Sequence, residues 1–522
     1  MSPARGRTSP SGPGKAGAKA GAKPIARSGA APGRRTPGGA AAGRAHADTV
    51  GGTARAGAEP VEKASGPAAG EPTAARTRTS RPGAPRSRGA APGLRASPGA
   101  ASLSRGVTAF SQWLRRPLTS LHLILGVFGL LTLFGLVMVL SASAVESYAA
   151  DGSSYSVFVK QLMFCAVGLV LFWVGLRIPP PKLRALAAPM LLVGILALAA
   201  VLVPGLGALR GGSRAWFALG PFSVQPSEAV KVALTLWGAH VLALRRNLMH
   251  RWKHALSPIV PVSLLIFVLL ILQPDLGMTV SMGMVLIALL FFAGLPMRLM
   301  AALTAVGLAG AVILGLTAGY RQARITAFLS PATADPQGPG YQATQALYSL
   351  ADGGLFGVGL GQGRAKWSYL PNAHNDFIFA IIGEELGFLG AAAVLALFAT
   401  LAYTGLRIAA RSADPWLRIV VATSTTWLVA QAAINIGYVV GLLPVTGLQL
   451  PLISSGGTSL VVTMFVFGVL ANAARHEPEA VAALARGNRG ARRPGLSRVL
   501  RIPPPQPYRA PGARQAPWGK VR

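Results

Sequence analysis

His374-Asn375-Asp376 is the last polar step before a long apolar run, in the stretch 369–390 (YLPNAHNDFIFAIIGEELGFLG). An imidazole, an amide and a carboxylate there stand where a polar loop gives way to a membrane helix. Such a junction is wet enough to ionise Asp376 and close enough to hydrocarbon to meet a substrate carried on a lipid. A carboxylate so placed can take the proton of an attacking hydroxyl. Nearby cations can steady a departing phosphate, and Arg214, Lys231 and Lys366 are the candidates for that role. A divalent ion, magnesium or manganese, could share it, with Asp376 as its first protein ligand. The spacing suits transfer from a lipid-linked phosphate donor but does not prove it.

Further charges lie in apolar surroundings, where they are costly and are either paired or functional. Glu228 and Lys231, at i and i+3, can meet on one helix face. They form either a charged groove for a headgroup or an ion pair that fixes packing. Asp275 follows Pro274 at a turn between two apolar runs. Glu384 and Glu385 line the same cavity as Asp376 at a deeper level, or sit in a bend at Gly383. His374 either orients Asp376 or caps the span after it. Gln431 and Asn435 read as hydrogen-bonding partners between helices.

These residues need a scaffold, and the composition says which kind. The 522 residues are 52% hydrophobic and only 13% charged, with mean hydropathy +0.47. A soluble domain carries about 25% charged residues, so the balance is that of a multi-span membrane protein. Ten apolar runs stand near 121–143, 157–176, 186–203, 226–244, 258–273, 277–296, 298–319, 377–406, 416–441 and 455–474. None alternates as the strands of a membrane barrel would, so the expected class is all-α with ten transmembrane helices. The eighth run is long enough to tilt or break. A large loop, 320–376, separates the seventh run from the eighth.

The net charge of +34 belongs mostly to the two ends. Residues 1–116, rich in Ala, Gly, Pro and Arg, are expected to be a disordered basic cytoplasmic arm. Residues 117–475 form the membrane domain, and 476–522 a second disordered, proline-rich tail. The basicity therefore implies anionic lipid heads or an acidic partner rather than nucleic acid. The single cysteine, Cys165, excludes an intrachain disulfide. Lys and Arg in the short loops fall on one side, as do both tails, which makes both termini cytoplasmic and the Asp376 loop exterior. Arg210, Arg214, Arg321, Arg324, Arg364 and Lys366 then stay outside against the usual bias, a hint of an anionic ligand.

Two glycine-rich stretches remain. Gly357, Gly359, Gly361 and Gly363 alternate in an exterior loop, the wrong setting for a nucleotide loop. Their use is a bare backbone that a substrate or a helix can approach closely. Leu450–Ser459 (LPLISSGGTS) offers hydroxyls and amides, either to cradle a phosphate or to start a helix.

Together, Gly212-Ser213-Arg214-Ala215-Trp216, the runs Gln225–Lys231 and Gln273–Gly277, and 369–390 with 448–459 resemble the SEDS family. The resemblance covers residues 120–475 and is strongest to its division-type, FtsW-like members. It implies a ten-helix peptidoglycan glycosyltransferase that polymerises lipid II on the outer face of the plasma membrane at the division septum. It implies as partners a class B penicillin-binding protein, the crosslinking transpeptidase, and other division proteins. Asp376 falls on the family's catalytic aspartate, and Lys231 and Asp275 on a polar pair within the bundle. Arg214, Glu228, Glu384 and Glu385 fall on further motif positions. Asn372, Asn375 and Ser455 depart from the common pattern. An elongation-type polymerase, a lipid II flippase and a scaffold that recruits division proteins through its basic tails are the alternatives.

Overall fold

The computed structural model describes residues 116–487 and Pro505, apart from residues 211, 221, 250, 252, 254–255, 318, 331–339, 368–369 and 372. The basic arm expected before residue 116, and the tail beyond residue 487 apart from Pro505, lie outside the described residues.

The chain opens with α1 (Thr119–Asp151), α2 (Ser156–Arg177) and α3 (Pro180–Ala200). Three short strands follow, β1 (Gly207–Arg210), β2 (Ser213–Leu219) and β3 (Phe222–Val224). Next come α4 (Pro226–Leu244), α5 (Ile259–Leu272), α6 (Leu276–Phe292) and α7 (Met297–Thr317). After α8 (Gly319–Leu329) and α9 (Tyr341–Gly353) the chain returns to long apolar helices, α10 (Ile378–Arg411), α11 (Pro415–Val439) and α12 (Gly457–Arg475). A short helix, α13 (Pro478–Gly487), ends the described chain.

Each of the ten apolar runs coincides with a helix, and the molecule is a multi-pass membrane protein. Eight of these helices are long and apolar enough to cross a bilayer. The other two, α5 and α6, have 14 and 17 residues. At 1.5 Å per residue they reach about 21 and 26 Å, short of the roughly 30 Å of a hydrocarbon core. Proline sets the first limit: Pro258 caps α5, and Pro274 stands in the break between the two.

The structure corrects the all-helical expectation. Residues 207–224 form an antiparallel sheet in the order β1-β2-β3. Gly212 and Gly220, at φ 81° and 61°, complete its two turns, a backbone conformation that suits glycine. The long 320–376 segment is also more than a loop, since α8 and α9 occupy much of it. Nor does the second tail begin at residue 476. There α13 is fastened by Arg411, whose guanidinium lies 3.4 Å from Glu477 Oε2 and 3.0 Å from Glu479 Oε1. Burial pushes the Glu477 carboxyl upward against the lowering pull of Arg411.

The core is built by aromatic and aliphatic faces that meet along the helices. Phe128 on α1 stacks on Phe172 of α2 at 4.2 Å and tilts toward Phe467 of α12 at 5.6 Å. Trp416 and Trp427 on α11 are fully enclosed.

The long helix α10 does break, but at Gly387 (φ 67°, ψ −165°) rather than at Gly383. A broken helix in a membrane leaves backbone groups that hydrocarbon cannot satisfy. The glycine-rich stretch satisfies them. Val358 and Gly359 donate their N–H groups to the carbonyls of Glu384 and Glu385, each at 3.0 Å. In return Phe388 and Leu389 donate to the carbonyls of Gly354 and Leu355, at 2.9 and 3.2 Å. A Cβ at Gly357 would fall 2.2 Å from the Glu385 carbonyl oxygen. The bare backbone therefore serves helix approach.

Candidate active site

Asp376 stands one residue before Phe377, which caps α10, and is half-buried. The neighbouring helix α11 captures its backbone carbonyl. Asn435 Nδ2 donates to it at 2.9 Å and the Tyr438 hydroxyl at 2.8 Å. The same two groups donate to the carbonyl of Leu448, at 2.7 and 2.9 Å. The Tyr438 ring meets Phe377 edge-on at 5.6 Å. Just before Leu448, Gly447 turns at φ 73°, and a Cβ there would sit 3.6 Å from Asp376 Oδ2. The 446–448 turn thus passes the carboxylate with no side chain at Gly447 to intervene.

The far side of that turn faces the start of α6. A Cβ at Gly277 would lie 2.8 Å from the Thr446 carbonyl oxygen and 3.8 Å from Asp275 Oδ1. Asp275 caps α6, accepting the Met278 N–H at 3.0 Å, and also accepts from Gln225 Nε2 at 3.0 Å. The Gln225 N–H in turn donates to Thr458 Oγ1 at 3.1 Å, and Thr458 donates to the Ser223 carbonyl at 3.2 Å. Buried Gln273 holds the Leu198 carbonyl at 2.9 Å, and its own carbonyl accepts from Ser213 at 2.5 Å. So β2, the 273–277 turn, the start of α4, the 446–459 segment and Asp376 converge at one end of the bundle. Arg214 lies on that sheet, partly exposed, and makes no ion pair among the described residues.

The other candidate residues are committed to partners. Lys231 is fully buried, 3.0 Å from Glu228 Oε2, 4.7 Å above the Trp427 ring, and donating to Gln431 Oε1 at 3.3 Å. Gln431 passes the link on to the Gln449 carbonyl at 2.9 Å. Lys366 lies 2.9 Å from Glu385 Oε1 and donates to the Gly361 carbonyl at 2.6 Å. The Ser141 hydroxyl on α1 also donates to Glu385, at 2.7 Å to Oε2. Glu384 accepts the N–H groups of Arg364 and Ala365. Lys366, Glu384 and Glu385 together brace the glycine-rich segment against α10. His374 Nδ1 lies 3.0 Å from Glu146 Oε2, at the end of α1, and its carbonyl accepts the Ser455 N–H at 2.9 Å.

Gln431 and Asn435 do bond across to other segments. The residue that sequence reading missed is Tyr438. Its signal was spacing: Trp427, Gln431, Asn435 and Tyr438 follow at intervals of four, four and three, one face of α11. No group of three or more His, Cys, Asp or Glu side chains suited to a metal ion occurs among the described residues.

Comparison with known proteins identifies the family. The model of the cell cycle protein family that groups FtsW, RodA and SpoVE, the SEDS family, matches residues 121–479. The chain belongs to this family. Its SEDS relatives include the probable peptidoglycan glycosyltransferase FtsW of Mycobacterium tuberculosis, 54% identical over 408 residues, 78% of this chain and 77% of that one. The stage V sporulation protein E of Bacillus subtilis is 39% identical over 69% of this chain and 98% of its own. Among solved structures, the rod shape determining protein RodA of Thermus thermophilus is 28% identical with a TM-score of 0.51, over 70% of this chain and 99% of that one. A chain from a peptidoglycan synthase complex that coordinates polymerization and crosslinking is 30% identical with a TM-score of 0.56, over 70% and 99%.

Proposed function

We propose that the chain is a peptidoglycan glycosyltransferase that polymerises lipid II with Asp376 as its base. The observation that carries this is the mooring of Asp376 where the 446–448 turn, the start of α6 and the sheet bearing Arg214 meet. The activity is the one named for relatives 54% identical to the chain. Asp376 takes the proton of the acceptor sugar's 4-hydroxyl. That oxygen attacks the anomeric carbon of the donor strand, the bond to pyrophosphate breaks, and undecaprenyl pyrophosphate leaves. Lys231 and Lys366 already neutralise Glu228 and Glu385, which favours Arg214 as the cation that steadies the pyrophosphate.

The positive-inside bias puts both termini in the cytoplasm and Asp376 on the outer face of the plasma membrane. All ten apolar helices lie within the bilayer in this reading, with α5 and α6 as a short central pair. A class B penicillin-binding protein crosslinks the strands beside it in this reading, which is supported by a similar structure from a peptidoglycan synthase complex that coordinates polymerization and crosslinking. The FtsW names of the more similar relatives favour the division septum, with other division proteins as partners, over an elongation role. The test is purified chain in lipid II vesicles with its transpeptidase partner. Glycan strands are expected. Movement of the headgroup across the bilayer without polymer would make the chain a flippase instead.

A further inference from the structure

We infer that Asn435 and Tyr438 are positioning residues for Asp376, a role that rests on the base assignment above. Three features carry it. Both side chains are fully enclosed in a membrane helix, where an unmatched polar group is costly and hydrogen bonds count for more. Both reach the same two carbonyls, those of Asp376 and Leu448, one before α10 and one on the turn that passes the carboxylate. And the orientation of the Asn435 amide is set by its surroundings. Two carbonyls and the Tyr438 hydroxyl oxygen, 2.6 Å away, converge on its nitrogen, so the nitrogen and not the oxygen must face them.

The consequence is geometric. The Asp376 carbonyl lies ahead of the first helical residue of α10, Ile378, and α11 supplies its donors instead. Asn435 brings two hydrogens and Tyr438 one, shared among the two carbonyls and the Tyr438 hydroxyl oxygen. Removing one of the donors frees the Asp376 backbone and the 446–448 turn to move relative to each other. The carboxylate then keeps its chemistry and loses its aim. A displacement of this kind costs rate and leaves uniform binding alone.

Tyr438→Phe keeps the ring against Phe377 and removes only the hydroxyl. In the full chain with its transpeptidase partner, kcat for lipid II polymerisation is expected to fall roughly tenfold or more, with KM unchanged and the fall larger than any loss of folded fraction. Asn435→Ala, read beside it, removes the other donor and is expected to show the same split. A parental kcat in both variants, or a loss that only tracks the folded fraction, overturns the positioning role. Asp376→Asn in the same assay separates the two ideas. If that variant is inactive while both α11 variants run at the parental rate, the base stands and the positioning role falls. If it remains active, the base assignment falls and takes this role with it.

Discussion

Replacing Asp376 with Asn is expected to lower the rate of strand synthesis by at least about 100-fold, since a positioned general base contributes roughly 10²–10⁴-fold. The substitution keeps size and shape but removes the ability to accept a proton. It also leaves in place the backbone carbonyl that Asn435 and Tyr438 hold. The helix start and the adjoining turn should therefore fold as before, and KM for lipid II should change little. Gel separation of labelled strands, with a thermal midpoint on the same preparation, measures both. A variant that makes full-length strands at the parental rate would sink the assignment.

The second large effect concerns stability. Lys231→Met removes the ammonium that faces Glu228, whose side chain is only 4% exposed. Breaking a buried pair by removing one partner costs about 3–5 kcal/mol, because a charge is left without compensation. Gln431 loses a donor at the same time and with it part of its hold on the 446–450 segment. A sharply lower unfolding midpoint in detergent is expected. The double replacement Glu228→Gln with Lys231→Met, which removes both charges, should recover most of it. Equal midpoints for the single variant and the parent would mean that the pair does not hold the bundle. Equal loss in single and double variants would put the cost in packing rather than charge.

The spans were legible because roughly 20 apolar residues in a row leave a bilayer few other choices. Resemblance singled out the 212–216, 225–231, 273–277, 369–390 and 448–459 runs as one family's motifs, but not their meeting in space. Spacing alone could not bring residues so far apart in sequence to one end of the bundle. The i, i+3 contact of Glu228 and Lys231 was readable because it is local. The partner of Lys366 was not, since Glu385 lies across a loop and a helix break. The sheet was missed because strands of four, seven and three residues are short. Gly-Gly and Gly-Pro at its two turns were the available signals. Tyr438 was missed because an aromatic at the end of a membrane helix ordinarily reads as an interfacial anchor. Its two carbonyl contacts emerge only when the Asp376 and Leu448 segments are brought to it.

One measurement bears on the side of the membrane that the chemistry requires. Cys165 is the chain's only cysteine, so Asp376→Cys in a Cys165→Ser background carries a single thiol. A thiol reagent that cannot cross membranes, added to intact cells, is expected to label that position from outside. Labelling only in inverted vesicles, from the cytoplasmic side, would contradict the account, because lipid II could not then be polymerised by this carboxylate on the outer face.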